Sequence, residues 1–244
     1  MDYSKEFLDL IAFTKKTDDF IGYGNPNAKI LIIGKEEALD MGIEDDKRIY
    51  EIAVKSNCEL WEKNDASSIT PDSIPVWKDS KDSKDFNPLY PWKGDELPKG
   101  TWTNYQKLIN RLYPEADAGK MTTFHQYAFI TEFNDLPSKK SKRKDPEVQQ
   151  RITHRCKNVL NHPFYKSFPI VIAACGHYVK DYNINLEDIF NQKHIEFKPV
   201  KKSAWLNIHK KDNRILIHTR QLSNAFSREL IKCIADYCKP YIEP

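Results

Sequence analysis

The stretch Lys29-Ile-Leu-Ile-Ile-Gly34 decides the fold, because it is a short, uninterrupted apolar run that a glycine closes. A run of this kind is typical of a strand that is buried on both faces of a parallel sheet. Three later segments have the same character, at residues 127–131, 169–176 and 214–218. They predict four core strands, and residues 205–209, before a Lys-Lys-Asp-Asn turn, predict one antiparallel hairpin strand added to the last of them.

Helical spacing of apolar residues separates the predicted strands, over residues 1–20, 44–63, 101–113, 145–160 and 223–241. Strands that alternate with helices imply right-handed crossovers, with helices on both faces of the sheet. We therefore predict a three-layer α/β/α protein with a mostly parallel four-stranded central sheet. The chain, residues 1–244, is expected to form one domain, with an irregular excursion at about residues 65–100 that is rich in Pro, Ser, Asp and Lys.

The composition narrows the class of protein. No window of about 18 residues is apolar enough to span a membrane, and the first residues do not resemble a signal peptide, so we expect a cytoplasmic protein without a membrane partner. The five cysteines are odd in number, widely spread and without a CxxC pair, so neither disulfides nor a zinc site is expected. We expect a monomer that needs no metal and no organic cofactor.

The charges are unevenly distributed, although the net charge is only +3. A basic run consists of Lys139, Lys140, Lys142, Arg143 and Lys144, and an acidic stretch consists of Glu36, Glu37, Asp40, Glu44, Asp45 and Asp46. The basic run favours contact with the phosphates of DNA, whereas the acidic stretch would repel them unless lysines screen it. An exposed, solvated loop is the alternative interpretation of the basic run.

Ligands in sheets of this kind bind beyond the carboxyl ends of the strands. The segments at those ends are Gly34-Lys-Glu-Glu-Ala38, a polar turn with Glu132 and Asn134, Cys175-Gly-His177 and His218-Thr-Arg-Gln-Leu-Ser223. In order and spacing, over nearly the whole chain, they resemble the uracil-DNA glycosylase superfamily in a divergent form. His218, Leu222 and Ser223 match the last motif of that family position by position, and Gly34 matches the first residue of its first motif.

The resemblance implies a protein that recognises a base in DNA and excises it by hydrolysis. In the family, the first loop positions the hydrolytic water, the histidine of the last motif bonds the base carbonyl, and the leucine wedges into the duplex. Glu36 stands where the family has Asp, Asn or Ala, and Glu37 replaces a proline. The asparagine that reads the base corresponds to Glu132 or to Asn134, and the sequence leaves both open.

An enzyme that breaks an N-glycosidic bond must stabilise a cation-like sugar and the negative charge that develops on the departing base. We predict that Glu36 acts on the sugar, by orienting water or by its charge, and that His218 donates a hydrogen bond to the base. The target base must also be flipped from the stack, with Leu222 as the candidate wedge. The expected substrate-binding residues are Gly34, Lys35, Glu37, Glu132, Asn134, His177, Arg220, Leu222 and Ser223.

Structural roles compete with these functional ones. Glu36 and Glu37 could begin a solvated helix, His177 could cap a helix, and Leu222 could be the first apolar contact of the last helix. Two other functions also stay open. One is a catalytically inactive member of the same fold that binds nucleic acid or a protein, and the other is a hydrolase of free nucleosides or nucleotides.

Overall fold

A mixed sheet of seven strands lies at the centre of the protein with helices on both of its faces, so the predicted α/β class is confirmed. The structure is a computed structural model that describes residues 3–64, 100–117, 119, 122–223 and 228–242. The predicted excursion at residues 65–100 lies outside the described residues, except for Gly100. No helix in the described part of the chain is long and apolar enough to cross a membrane.

The strands are β1 (Tyr23–Gly24), β2 (Ile30–Gly34), β3 (Ala128–Glu132), β4 (Ile170–Ala173), β5 (Lys193–Lys201), β6 (Ala204–Lys211) and β7 (Arg214–Thr219). They lie in the order β1-β3-β2-β4-β7-β6-β5 across the sheet. β2 pairs in parallel with β3 and with β4, and β4 pairs in parallel with β7. β1, β5 and β6 form antiparallel pairs. The sheet is therefore larger and more mixed than the predicted four strands with one added strand.

Two strands, β1 and β5, were not predicted, because neither has the apolar run of a buried strand. β1 has only two residues, and one of them is glycine. β5 is an edge strand whose residues are exposed or half-buried along its whole length. The segment does alternate apolar and polar residues over Ile195-Glu196-Phe197-Lys198, but Ile195 and Phe197 are both more than half exposed, so this alternation does not mark a buried face.

The helices follow the predicted helical segments with interruptions. Their bounds are α1 Lys5–Thr14, α2 Glu44–Tyr50, α3 Asn57–Lys63, α4 Thr101–Leu112, α5 Phe124–Tyr127, α6 Pro146–His154, α7 Pro163–Ser167, α8 Tyr178–Asp181, α9 Leu186–Phe190 and α10 Arg228–Cys238. Short π-helical segments extend α2 over Glu51–Lys55 and α6 over Arg155–Val159. Single turns of 3-10 helix follow α4 and α10, at Pro114–Ala116 and Lys239–Tyr241.

Alternate residues of the central strands supply two separate apolar cores. Ile33 of β2 belongs to a cluster formed with α1, α6 and α7, and its neighbour Ile32 belongs to a cluster formed with α4 and α10. A slip of one residue would exchange the two faces, so burial on both sides fixes the register of the strand.

The parallel strands β2, β3, β4 and β7 end at the same edge of the sheet. From β2 the chain moves to β3 on one side of it and later to β4 on the other side. A crevice forms outside the strand ends where the direction of winding reverses in this way, and open α/β sheets bind ligands there.

Candidate functional site

A cavity of about 360 Å³ opens at the carboxyl ends of β2 and β3. This volume is near the lower end of the range for small-molecule sites, about 300–1,000 Å³. Five of the predicted site residues line it: Gly34, Lys35, Glu36, Glu37 and Glu132. The other described residues of the lining are Ala38, Leu39, Asp46, Ile49, Thr101, Trp102, Tyr105 and Gln221. The structure thus brings the predicted residues after the first and second core strands into one site.

Glu36 lies in the loop after β2, and both oxygens of its carboxyl group accept hydrogen bonds. The hydroxyl of Tyr178 donates to Oε2, and Ser141 Oγ donates to Oε1 over 2.5 Å. These two donors fix the orientation of the carboxyl group at the cavity wall. No helix begins at Glu36, since residues 35–40 form a loop and α2 starts only at Glu44, so the alternative of a solvated helix start is wrong.

Glu132, the last residue of β3, lines the cavity, and its carboxyl group lies beside Gly34. A Cβ atom built on Gly34 would overlap this carboxyl group, so a larger residue there would displace it. Glu132 is 7% exposed, and its Oε2 has no hydrogen-bond partner among the described residues. Burial, together with the charges of Glu37 and Glu36, raises the pKa of Glu132 well above its usual range.

Glu37 lines the same cavity, and the pKa of its carboxyl group is also raised. Burial raises the pKa of Glu37 to about 7, a hydrogen bond with Tyr23 opposes the rise, and the charge of Glu36 adds to it. The cavity therefore contains two carboxyl groups that keep a proton at pH values where an exposed carboxyl group has lost it.

Of the two candidates for the base-reading position, Glu132 lines the cavity and Asn134 does not. The Asn134 side chain accepts a hydrogen bond from the N–H of Leu136 over 3.2 Å and donates one to its carbonyl oxygen over 3.1 Å. The backbone N–H of Asn134 donates to the carbonyl oxygen of Lys35 over 2.8 Å. Asn134 thus closes a turn and joins the loops after β2 and β3.

Two aromatic residues of α4, Trp102 and Tyr105, form part of the cavity wall and were not predicted as site residues. Trp102 is half-buried, with ring centroids 5.9 Å from those of Tyr23 and Phe124, and Tyr105 is 2% exposed. In the sequence they have the i, i+3 spacing of a core-facing helix. That spacing does not distinguish an aromatic side chain packed in a core from one that faces a ligand.

His218 lies outside the cavity lining and is 6% exposed. Its Nε2 donates to the carbonyl oxygen of Gly176 over 3.0 Å, and its Nδ1 accepts from the side-chain amide of Asn207 over 3.3 Å. Burial lowers the pKa of His218 to about 4, although the bond with Gly176 opposes the shift. The imidazole is therefore neutral at pH 7, and both of its nitrogens are used within the protein.

His177 and Lys35 connect the loops after β4 and β2. Lys35 Nζ lies 3.4 Å from His177 Nδ1 and 5.1 Å from the centroid of the Tyr178 ring. Nε2 of His177 lies 3.6 Å from a carboxylate oxygen of Asp181. Burial lowers the pKa of both Lys35 and His177. His177 precedes α8, but its side chain makes no capping hydrogen bond to that helix.

Burial of Leu222 and several hydrogen bonds hold the loop after β7, residues 220–223, against the rest of the protein. Leu222 is fully buried in the core shared with α4 and α10, so it has no exposed surface with which to enter a duplex, and its structural alternative as an apolar contact fits this position. Asn104 of α4 donates to the carbonyl oxygens of Leu222 and Ser223 over 3.1 and 3.2 Å. The Arg220 guanidinium donates to Ser203 Oγ over 3.2 Å. Of the described residues of this loop, only Gln221 lines the cavity.

Three members of the basic run form ion pairs with carboxylates. Lys139 pairs with Asp40 at 2.7 Å, Lys142 with Asp145 at 3.4 Å, and Arg143 with Asp181 at 2.7 Å. The pair between Lys139 and Asp40 joins the basic run to the acidic stretch beside the cavity. Lysine thus screens part of the acidic stretch, and the same contact reduces the charge that the basic run offers to phosphates.

Within the described ranges, no group of three or more His, Cys, Asp or Glu side chains is placed to hold a metal ion. No protein-family model, curated protein or solved structure matches the chain. The residues of the cavity therefore carry the functional interpretation.

Proposed function

We propose that the chain is a uracil-DNA glycosylase-like protein that binds a base from DNA in the cavity at the ends of β2 and β3 and hydrolyses its N-glycosidic bond. The observation that carries this proposal is the convergence of Gly34, Glu36 and Glu132 on one cavity. The parallel strands β3, β2, β4 and β7, with helices on both faces, support a uracil-DNA glycosylase-like arrangement. In this proposal the protein acts as a cytoplasmic monomer, with water as the only co-reactant.

The aromatic wall supports binding of a planar ring. Trp102 and Tyr105 line the cavity on the α4 side, and stacking of a base on an aromatic side chain contributes about 1–3 kcal/mol per base. Glu36 lines the same cavity from the β2 side, and Tyr178 and Ser141 hold its carboxyl group. It is positioned to orient a water molecule or to stabilise the positive charge that develops on the sugar.

Base release from a single-stranded oligonucleotide that carries uracil tests this proposal. We expect abasic sites with the parent protein and a loss of roughly 10²-fold or more in rate with Glu36→Gln, because positioned acid–base groups contribute about 10²–10⁴-fold. Glu51→Gln makes the same chemical change on the exposed π-helical extension of α2 and serves as the matched control. Absence of base release from uracil and from a panel of damaged bases would contradict the catalytic part of the proposal.

A free nucleoside is the second candidate substrate, because the cavity is acidic. With Glu132 neutral, the carboxyl groups of Glu36, Glu37 and Asp46 still outnumber the ammonium group of Lys35 among the described lining residues of the cavity. Such a lining disfavours a phosphate backbone more than an uncharged nucleoside. Release of uracil from deoxyuridine at a rate comparable with that from the oligonucleotide would favour this candidate.

A further inference from the structure

The carboxyl group of Glu132 is a buried polar group that a ligand could satisfy. More than nine-tenths of the residue is buried, and Oε2 has no hydrogen-bond partner among the described residues. Its carboxyl group lies against Gly34, and Gly34 and Glu132 line the cavity together with Trp102 and Tyr105. An unpartnered buried polar atom is costly, and a ligand that supplies the partner removes that cost.

In the described part of the chain, the two cationic side chains near Glu132, those of Arg155 and Lys35, have partners other than its carboxyl group. The Arg155 guanidinium donates to the backbone carbonyl oxygen of Glu132 over 3.0 Å and forms an ion pair with Asp135 at 3.1 Å. The Lys35 ammonium lies against His177 and the ring of Tyr178. Asp135 thus balances the charge of Arg155, and a buried carboxyl group that lacks a bonded cation favours its neutral form.

We infer that Glu132, as a neutral carboxylic acid, donates the hydrogen bond that stabilises the departing base, the role that the sequence assigned to His218. This inference rests on the proposed function, because it places a base in the cavity. A neutral carboxyl group has one donor and one acceptor side by side, which match the N3–H and O4 edge of uracil. His218 uses both of its ring nitrogens within the protein, so Glu132 is the better placed donor.

In this reaction Glu132 acts as the acid and Glu36 as the base. As the bond between C1′ of the sugar and the base nitrogen breaks, both bonding electrons go to the base, and the proton of Glu132 passes to a base oxygen. Water adds to C1′ and gives a proton to Glu36. Glu132 has then lost one proton and Glu36 has gained one, and exchange with solvent restores both. Paired carboxyl groups in different environments divide the acid and base roles in this way when glycosidic bonds are cleaved.

The groups that surround the Glu132 carboxyl set the direction of its pH dependence. They are Tyr23 of β1, Lys35, Glu36 and Glu37 after β2, Tyr105 of α4, Arg155 of the α6 extension and Cys175 after β4. Burial raises the pKa of Glu132, the charges of Glu37 and Glu36 raise it further, and Arg155 lowers it. Since the neutral form binds the base, affinity is constant below this pKa and falls as the pH rises above it, by about tenfold per pH unit.

The inference can be tested without turnover by measuring the affinity for free uracil with calorimetry. The pH series runs from 5 to the pH at which uracil itself ionises. Glu37 titrates near pH 7, so the comparison is made between Glu37→Gln and the double variant Glu37→Gln/Glu132→Gln. We expect affinity to fall with rising pH in the single variant. The double variant should bind at a constant affinity, because an amide keeps one donor and one acceptor at every pH. Glu132→Leu should bind uracil at least tenfold more weakly than the parent at low pH.

The outcomes separate this inference from the proposed function. Uracil binding that is unaffected by Glu132→Leu, or that keeps the same pH dependence in the double variant, would overturn the role of Glu132 and leave base binding by the cavity intact. Absence of binding to uracil, cytosine, adenine and hypoxanthine by the parent at any pH would overturn the inference together with the proposed function. Circular dichroism of each variant separates loss of binding from loss of folding.

Discussion

The carboxyl groups of Glu36 and Glu132 have different surroundings, although both follow neighbouring strands of the sheet. Glu36 accepts hydrogen bonds from two hydroxyl groups, whereas Glu132 has an oxygen without a partner among the described residues and lies next to two other glutamates. The two donors fix the orientation of the Glu36 carboxyl group, whereas burial without donors favours the neutral form of the Glu132 carboxyl group. Local surroundings thus prepare one side-chain type for two roles in the proposed reaction.

Leu222 gives a test at the scale of a single residue. Because its side chain is fully buried, Leu222→Ala should lower the free energy of unfolding by about 2–5 kcal/mol, as truncation of buried leucines does. Leu8→Ala is the matched control, since Leu8 is 52% exposed and its truncation should have little effect. Urea unfolding measures both variants. A stable Leu222→Ala protein with weakened duplex binding would instead support the wedge predicted from the sequence.

The loop between β3 and α6, residues 133–145, combines two functions that the sequence treated separately. Ser141 in this loop donates to Glu36 in the cavity, and Lys139 pairs with Asp40 after β2. The loop thereby positions the candidate catalytic carboxyl group while it presents the basic run. Movement of this loop would alter both the site and the surface that we propose to contact DNA.

The basic run gives a test at the scale of this loop. Lys139 and Lys142 are in ion pairs, whereas no ion pair within the described residues involves Lys140 or Lys144. We expect Lys140→Gln/Lys144→Gln to weaken oligonucleotide binding more than Lys139→Gln/Lys142→Gln does. On a single strand, the slope of log affinity against log salt should fall by about 0.7 for each phosphate that the variant no longer neutralises. Fluorescence anisotropy over a salt series measures this slope.

The control for the basic run is the double variant Lys5→Gln/Lys16→Gln, at the start of α1 and in the turn after it, which removes the same charge from exposed positions outside the loop. Its salt slope should equal that of the parent. Equal slopes for all of the double variants would show that the basic run makes no phosphate contacts.

At the scale of the whole molecule, a buried ion-pair network joins the N-terminal segment, the loop after β3 and α6. Arg151 bonds Asp19 at 2.9 Å and also pairs with Asp135, and Arg155 pairs with Asp135 at 3.1 Å. The same guanidinium of Arg155 donates to the carbonyl oxygen of Phe20 over 2.9 Å. The network therefore fixes segments that are distant in sequence behind the strand that carries Glu132.

The pKa of Asp135 in this network predicts how the stability of the protein depends on pH in acid. Burial by itself would raise the pKa of Asp135, but the guanidinium groups of Arg155 and Arg151 lower it to about 2. A carboxyl group with a depressed pKa stabilises the folded state above the pKa of the unfolded chain, about 3.9, and this contribution, roughly 2 kcal/mol, is lost as the pH falls toward 2. We expect the free energy of unfolding of the parent to decrease over this interval, as measured by urea unfolding.

Asp135→Asn should lack that part of the acid dependence. It should also be less stable at pH 7 by about 3–5 kcal/mol, because the buried Arg155 loses its carboxylate partner. Asp9→Asn, at an exposed position of α1, is the matched control and should keep the acid dependence of the parent. An Asp135→Asn protein as stable as the parent at pH 7 would contradict the role of the network.

Burial decided which strands could be predicted from the sequence. The runs at residues 29–34, 127–131, 169–176 and 214–218 all contain strands, because a strand covered on both faces must be apolar throughout. Asp145 and Pro146 predicted the start of α6, where Asp145 caps the backbone N–H groups of Glu147 and Val148. The edge strand β5 could not be predicted, since its exposed residues bear no such constraint.

By itself, the sequence determined the α/β class and the strand ends that carry Gly34, Glu36 and Glu132. These depend on local patterns, because an apolar run and the glycine that closes it are adjacent in the chain. Only the tertiary structure decided that Trp102 and Tyr105 complete the cavity, that Glu132 rather than Asn134 lines it, and that both nitrogens of His218 are bonded. Those outcomes depend on which side chains meet across strands and helices far apart in sequence, and burial there sets hydrogen-bond partners and pKa values that no local pattern records.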